Sequence, residues 1–214
     1  MHNDQNHDRG AVSKEVCAFL TDIIMTGYAG AEGARLLAEA FERSLLNRYP
    51  PGYVNRMKTA GSPASDADMA AGGPESRKTD AAALKADAEV LVYAAGEGGI
   101  YTALWNLGEL TGRGIEVNLK DIPILQETIE VCNHLDADPY RLRSGGCRLF
   151  AVSDAGSILD SLRGRGIEAV HIGCLTSGSR RVIINGEAVR FLNRPGPDEL
   201  YRFIQRGNDN GQFT

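Results

Sequence analysis

Glycines clustered between apolar segments are the residues of this chain whose spacing best suits a chemical role. The stretch "YAAGEGGIYTALWNL" is an apolar run that enters a turn with three glycines and leaves it in a helical pattern. A helix N-terminus offers unpaired N–H groups and a partial positive charge, so such a turn can hold a phosphate. The candidate residues of this loop are Gly96, Glu97, Gly98 and Gly99.

The residue types of this loop leave two interpretations open. It contains no lysine or arginine, which phosphate loops usually add, and the carboxylate of Glu97 would complement the helix dipole and repel a second anion. The glycines would then serve close packing of the helix on a sheet. Residue chemistry favours packing over phosphate binding.

Two further glycine clusters have a similar character. "TGYAGAEGARLLAE" also passes from an apolar segment into a helix, with a glutamate at Glu32, and "RSGG" is a loop rich in backbone donors. The candidate residues are Gly27, Gly30, Gly33, Gly145 and Gly146. Together the turns could flank one cleft, and the basic side chains that could complete an anion site there are Arg35, Arg113, Lys120, Arg141 and Arg143.

Other chemistry is not indicated. None of the cysteines forms a CxxC pair, so we predict no metal site and reduced thiols that pack as small apolar groups. These cysteines are Cys17, Cys132, Cys147 and Cys174. For His134 and His171 we expect core or surface histidines. The catalytic residues stay unknown.

Composition limits the partners. The chain has 214 residues, 43% hydrophobic residues and a net charge of -5, which leaves no basic excess to neutralise nucleic acid or an anionic membrane. Its apolar runs are too short to span a bilayer, and "MHNDQNHDRG" is no secretory signal. These features predict a cytoplasmic protein.

The order of patterns predicts an α+β fold with helices packed on a mixed sheet. We expect a disordered tail over 1–12, a helical segment with the first glycine loop over 13–56, a flexible linker over 57–82, the main body over 83–206 and a tail over 207–214. Within 13–56, "DIIMTGY" is either helical or a short buried strand, and one amphipathic helix ends at Pro50-Pro51. In the main body, Asn185-Gly186 predicts a hairpin with a type I′ turn.

Three stretches carry a resemblance to a known family: "DIIMTGYAGAEGARLLAEAFERSLLNRYP", "GEGGIYTALWNLGELTGRGIEVNLKDIPILQETIEVCNHLDADPYRLRSGG" and "VIINGEAVRFLNRPGPDELYRF". Over about residues 20–55 and 88–205 the chain resembles the C-terminal half of AIR synthase-related proteins, members of the PurM superfamily that are also labelled hydrogenase maturation factors by similarity to HypE. The resemblance implies an α/β sandwich whose glycine loops, Gly27–Gly33 and Gly96–Gly99, face a nucleotide cleft.

The departures from this pattern are as informative as the match. Relatives read His-Asp-x-Thr-Glu-Gly-Gly at the loop, whereas this chain has Tyr93, Ala94 and Gly96 where His, Asp and Thr would stand. The resemblance also implies that the N-terminal domain, which supplies most ligands of ATP and magnesium, is missing. The chain ends "GQFT", so the reactive C-terminal cysteine of HypE is not carried over.

Two functional hypotheses follow from the resemblance. In the first, a separately encoded N-terminal ATP-binding domain provides ATP and Mg²⁺, and this chain contributes half of the cleft. In the second, the fold is retained without catalysis, as a module for homodimerisation or for binding a partner. For the chain alone, which we expect to hold no cofactor, the lost polar residues favour the second hypothesis.

Overall fold

A seven-stranded mixed sheet is the central layer of the protein. The computed structural model describes residues 19–61 and 90–203. The strands are β1 (Asp22–Thr26), β2 (Val90–Ala94), β3 (Gly114–Asn118), β4 (Arg148–Val152), β5 (Ala169–Thr176), β6 (Arg181–Asn185) and β7 (Ala188–Phe191). Their order is β2-β4-β1-β5-β3-β6-β7, and every neighbouring pair is antiparallel except β3 and β6. The predicted α+β class is confirmed.

Helices cover both faces of the sheet. They are α1 (Ala31–Ala40), α2 (Glu42–Leu46), α3 (Pro51–Thr59), α4 (Gly99–Thr111), α5 (Gln126–Leu135) and α6 (Ala155–Gly164). A further helix begins at residue 200. α4 shares one core with the sheet and α6 a second, while side chains of α1, α2, α3 and α5 form a third together with Leu200 and Phe203.

Strand β1 lies inside the sheet and is buried on both faces. Ile23 and Met25 belong to the core under α4, whereas Ile24 belongs to the core under α6. Burial on both faces produces a continuous apolar run, which explains why the sequence pattern alone did not distinguish strand from helix. For "DIIMT" the strand alternative is correct, and the helical pattern predicted from Ser13 to residue 18 lies outside the described residues.

The helical segment after the first glycine loop differs from the single helix that we predicted. The backbone breaks at Phe41, and the second piece, α2, ends at Leu46. Pro51 then begins α3 rather than only ending a helix, because proline suits the first helical position. Met57 is buried in α3, so the linker predicted from residue 57 is wrong for residues 57–59.

Parts of the predicted organisation lie where the structure gives no description. Residues 62–82 of the predicted linker fall outside the described ranges, and so do the predicted tails over 1–12 and 207–214. The main body predicted for 83–206 is described from residue 90 to residue 203.

The predicted hairpin is present, but its turn type is not the one we expected. Asn185 pairs with Ala188, so the turn residues are Gly186 and Glu187. Gly186 has a φ of 63°, while Glu187 has no positive φ. A type I′ turn needs positive φ at both positions, whereas a glycine followed by a residue of negative φ is typical of type II′.

Substitution of Gly173 tests the close approach of the paired strands β3 and β5. A Cβ at this position would overlap the carbonyl oxygen of Glu116 and lie 2.7 Å from Cα of Val117. Since backbone cannot move aside as a side chain can, we expect Gly173→Ala to lower the free energy of unfolding by about 1–3 kcal/mol. Urea denaturation measures this. Gly164→Ala is the control, because its Cβ would meet no atom within 4 Å; equal midpoints for the two variants would contradict the packing described here.

Candidate functional site

The three glycine turns, far apart in sequence, meet at one place in the structure. The N–H of Gly30 donates to Oγ of Ser144 at 2.8 Å, and the N–H of Gly33 donates to the carbonyl of Arg143 at 2.9 Å. The N–H of Ser144 donates in turn to the carbonyl of Gly96 at 3.0 Å. We call this meeting point, formed by residues 27–33, 96–99 and 143–146, the glycine junction.

Close approach of backbone to backbone explains why glycine occupies two positions of the junction. A Cβ on Gly30 would overlap the carbonyl oxygen of Pro139. On Gly99 it would overlap the carbonyl oxygen of Tyr140 and lie 2.7 Å from that of Leu142. Both glycines have φ of 69°, a conformation that other residues rarely adopt. Gly30 and Gly99 therefore allow the turns to pack closely on the backbone of residues 139–142.

The other predicted glycines lie in the same junction. A Cβ on Gly27 would be 3.1 Å from the carbonyl oxygen of Gly146. Gly96 has open space around its Cβ position, and its carbonyl accepts the N–H of Gly99 at 3.2 Å. Gly33 packs its backbone against Leu142, whose Cβ would be 3.0 Å from a Cβ on Gly33.

Two carboxylates of the chain occupy backbone donors of the junction. Oε2 of Glu32 accepts the N–H of Gly145 at 2.9 Å, and Oδ2 of Asp198 accepts the N–H of Gly98 at 2.7 Å. The other oxygen of Asp198 accepts the N–H of Leu200 at 2.9 Å, and this side chain is only 3% exposed. An incoming phosphate would compete for these two donors with carboxylates that are already in place.

Glu97 faces solvent at the edge of the junction. Its Oε1 accepts the hydroxyl of Tyr201 at 2.8 Å, and its Oε2 lies 3.8 Å from Nη2 of Arg143. The hydrogen bond to Glu97 raises the pKa of Tyr201 above its ordinary value. Glu97 therefore pairs with groups of its own chain rather than projecting alone from the loop.

The basic side chains proposed from the sequence are not brought together. Arg113 donates to the carbonyl oxygens of Leu20, Leu175 and Thr176, so it ties strand ends together. Arg35 pairs with Glu39 on its own helix at 2.8 Å, and Lys120 is exposed. Arg143 reaches Glu97, and Arg141 lines a cavity beside the start of α4.

Two histidines contact polar side chains that lie far away in sequence, and two cysteines are buried. His171 lies 2.9 Å from Oδ1 of Asp22 across the β1–β5 pair, and His134 lies 2.8 Å from Oγ of Ser44. Burial raises the pKa of Cys132 to about 12, which keeps it a thiol. Cys147 is buried as well.

Residues 19–61 and 90–203 contain neither a candidate metal group nor a candidate membrane span. No group of three or more His, Cys, Asp or Glu side chains there could hold a metal ion. None of the helices in the same ranges is both long and apolar enough to cross a bilayer.

Comparison with solved structures identifies the fold. HypE in complex with ATP superimposes with a TM-score of 0.57 at 17% identity, over 84% of this chain and 52% of that one. HypE from the HypE–HypF complex gives 0.54 at 17% identity, over 82% and 53%. This chain has the HypE fold. Thiamine-monophosphate kinase from Stenotrophomonas maltophilia K279a shares it, with a TM-score of 0.53 at 17% identity, over 76% and 49%.

Sequence comparison adds no relative: no family model matches the chain, and no curated protein matches it. The likeness to HypE and to the kinase confirms the fold that the AIR synthase-related resemblance implied. The chain spans about half the length of these structures, 52%, 53% and 49% of them.

Tyr93 and Ala94, which depart from the pattern that the resemblance implied, are the last two residues of strand β2. Tyr93 accepts a hydrogen bond through its hydroxyl from Nδ2 of Asn106 at 2.8 Å, so its side chain is bound to α4. Ala94 is exposed at the end of the strand and carries no polar side-chain atom. Neither side chain carries a carboxylate.

Sequence reasoning missed two side chains that hold the junction together. Ser144 and Asp198 are both buried, and both accept a glycine N–H. For Asp198 there was a signal, because an aspartate before an apolar helical pattern is a typical helix cap. Its second bond, to Gly98, depends on folding across 100 residues and had no local signal.

Removal of the Asp198 carboxylate tests its role in the junction. Asp198→Ala leaves two buried N–H groups without their acceptor, and we expect a loss of about 2–4 kcal/mol in the free energy of unfolding, measured by urea denaturation. Asp198→Asn keeps one acceptor oxygen and should lie in between. Glu97→Gln, which changes an exposed acid of the same junction, should cost no more than about 0.5 kcal/mol. A loss in Asp198→Ala no larger than in Glu97→Gln would contradict the assignment.

Two glycines of the same loop differ in a way that a matched pair of variants can measure. Gly98 has φ of 77°, and its Cβ would overlap Oγ1 of Thr102, whereas Gly96 has no atom within 4 Å of its Cβ position. We expect Gly98→Val to cost about 1–3 kcal/mol and Gly96→Val to cost much less. Thermal unfolding followed by circular dichroism measures both. An unchanged melting temperature for Gly98→Val would show that the loop is loose.

Proposed function

We propose that this chain is a module of the AIR synthase-related, hydrogenase maturation factor type that catalyses no ATP-dependent reaction by itself. In this proposal it forms half of a nucleotide cleft only when a separately encoded N-terminal-type domain supplies the site for ATP and Mg²⁺. The observation that carries the proposal is the occupation of the Gly98 and Gly145 N–H groups by Asp198 and Glu32.

Electrostatics supports the proposal that the chain alone does not act on ATP. A triphosphate that approached the junction would meet three carboxylates, those of Glu32, Glu97 and Asp198. The nearest cation to Glu97 is the already paired Arg143, at 3.8 Å. Like charges at short range are repulsive, and the bonds to Gly98 and Gly145 would have to break before the phosphate could use those donors.

The comparisons support the second half. A structure of HypE contains ATP, and this chain spans 52% of its length. In this proposal, a domain equivalent to the remaining part of that structure completes the site for ATP. The buried thiol of Cys132 is compatible with a cytoplasmic location, which we include in the proposal.

One observation favours a second candidate, a non-enzymatic module that dimerises or binds a partner. All four residues of β7 are exposed, with Val189 at 59% and Phe191 at 68%, and β7 is an edge strand of the sheet. An exposed edge with apolar side chains can pair with another chain. HypE itself occurs in a complex with HypF.

Calorimetry with ATP and Mg²⁺ tests the main proposal. We expect no heat of binding for the chain alone and saturable binding after addition of a HypE-type N-terminal domain. Binding by the chain alone would overturn the proposal, and its loss in Gly98→Val but not in Gly96→Val would place ATP beside Gly98. Absence of binding even with the added domain would favour the non-enzymatic candidate. Light scattering then decides whether the chain alone is a dimer.

A further inference from the structure

A cavity of about 320 Å³ lies beside the first turn of α4. Its walls come from α4, from the loop around residues 138–141, from the β6–β7 hairpin and from residues 192–196. This volume is at the lower end of the range for small-molecule sites in proteins, roughly 300–1,000 Å³. Gly98 is the one residue of the glycine junction in its lining.

The charge of this cavity is opposite to that of the whole chain. Arg141, Arg190 and Arg194 line it, and Asp138 is the one acid among the lining residues. In the part of the chain that the structure describes, none of the three arginines makes an ion pair or a side-chain hydrogen bond. Asp138 makes a hydrogen bond within its own loop, since its Oδ1 accepts the N–H of Tyr140 at 3.0 Å. A chain of net charge -5 thus concentrates an excess of two positive charges in one concave site.

The three arginines are exposed and line the same cavity, so their guanidinium groups are accessible to an anion from solvent. Guanidinium groups bind phosphate oxygens through paired N–H donors, and a phosphate monoester carries a charge of about -1.5 to -2 near pH 7. That charge balances the excess in the cavity. We propose that the cavity of Arg141, Arg190 and Arg194 binds a small phosphate-bearing molecule.

The remaining walls indicate the kind of molecule. Ile183 and Leu192 are buried apolar side chains of the lining, so the cavity also offers contact to a short organic group. Tyr101 stacks on Tyr140 with ring centroids 5.2 Å apart and an interplanar angle of 10°, which fixes one wall. Burial, followed by the charges of Asp138 and Tyr140, raises the pKa of Tyr101, so its hydroxyl stays protonated and adds no negative charge. The volume suits a monoester of a small alcohol better than a nucleotide.

The cavity is separate from the anion positions of the glycine junction. Gly98 borders both, but its N–H is directed to Asp198. The phosphate would therefore bind to arginine side chains and not to the glycine N–H groups. The two sites can be tested independently.

Calorimetric titration of the full chain with inorganic phosphate and with glycerol phosphate tests the proposal, with malonate as a dicarboxylate of similar charge. We expect saturable binding of both phosphates and weaker binding of malonate. Arg190→Gln and Arg194→Gln should each weaken phosphate binding by about tenfold or more, since a charge-assisted hydrogen bond is lost. Asp138→Asn keeps the acceptor for Tyr140 but removes the negative charge, so it should tighten binding. Arg163→Gln, an exposed arginine of α6 paired with Asp160, is the control.

Several outcomes would overturn the proposal. These are no phosphate binding by the unaltered chain, equal weakening in Arg163→Gln and Arg190→Gln, or tighter binding of malonate than of phosphate. Tighter binding of glycerol phosphate than of inorganic phosphate would support an organic ligand over the free ion. Because these probes contain neither nucleoside nor Mg²⁺, their failure leaves the proposed function untouched. Conversely, ATP binding that is lost in Arg190→Gln belongs to this cavity, and ATP binding that survives it belongs to the junction.

Discussion

Contact of backbone with backbone at the glycine junction is the constraint on which the rest of the structure depends. Gly30 and Gly99 let the turns before α1 and α4 approach the loop around residues 139–142 without an intervening side chain. The start of each helix is thereby fixed against the same loop. The cores on α1 and α4 can then form on either side of one junction.

Negative and positive side chains are separated around the start of α4. On the side of the junction, Glu32 and Asp198 bind glycine N–H groups, while on the side of the cavity three arginines pair with no acid of residues 19–61 and 90–203. The N–H groups of Gly98 and Gly145 are thus occupied by carboxylates of the chain itself. The three arginines of the cavity come from the loop around residues 138–141, from β7 and from the segment that follows β7.

Local patterns predicted most of the elements of the HypE fold. The glycine turns and the apolar spacing of α4 were sufficient because the conformation of each is decided by neighbours in sequence. β1 was ambiguous because burial on both faces removes the alternation that distinguishes a strand. The partners of Gly98 and His171 could not be predicted, since they lie 100 and 149 residues away and are chosen by the topology of the sheet. The turn was misassigned because Asn185 pairs with Ala188 and is not a turn residue, which moves the turn by one residue to Gly186 and Glu187.

Asp198 has a kinetic consequence. Its carboxylate binds both the loop before α4 and the N–H of Leu200, where the next helix begins. Detachment of that helix therefore releases the amide of Gly98 in the same event, even though the two are far apart in sequence. The hydrogen-exchange rate of this one amide reports how often the helix opens. The loop of the junction and that helix behave as one cooperative unit.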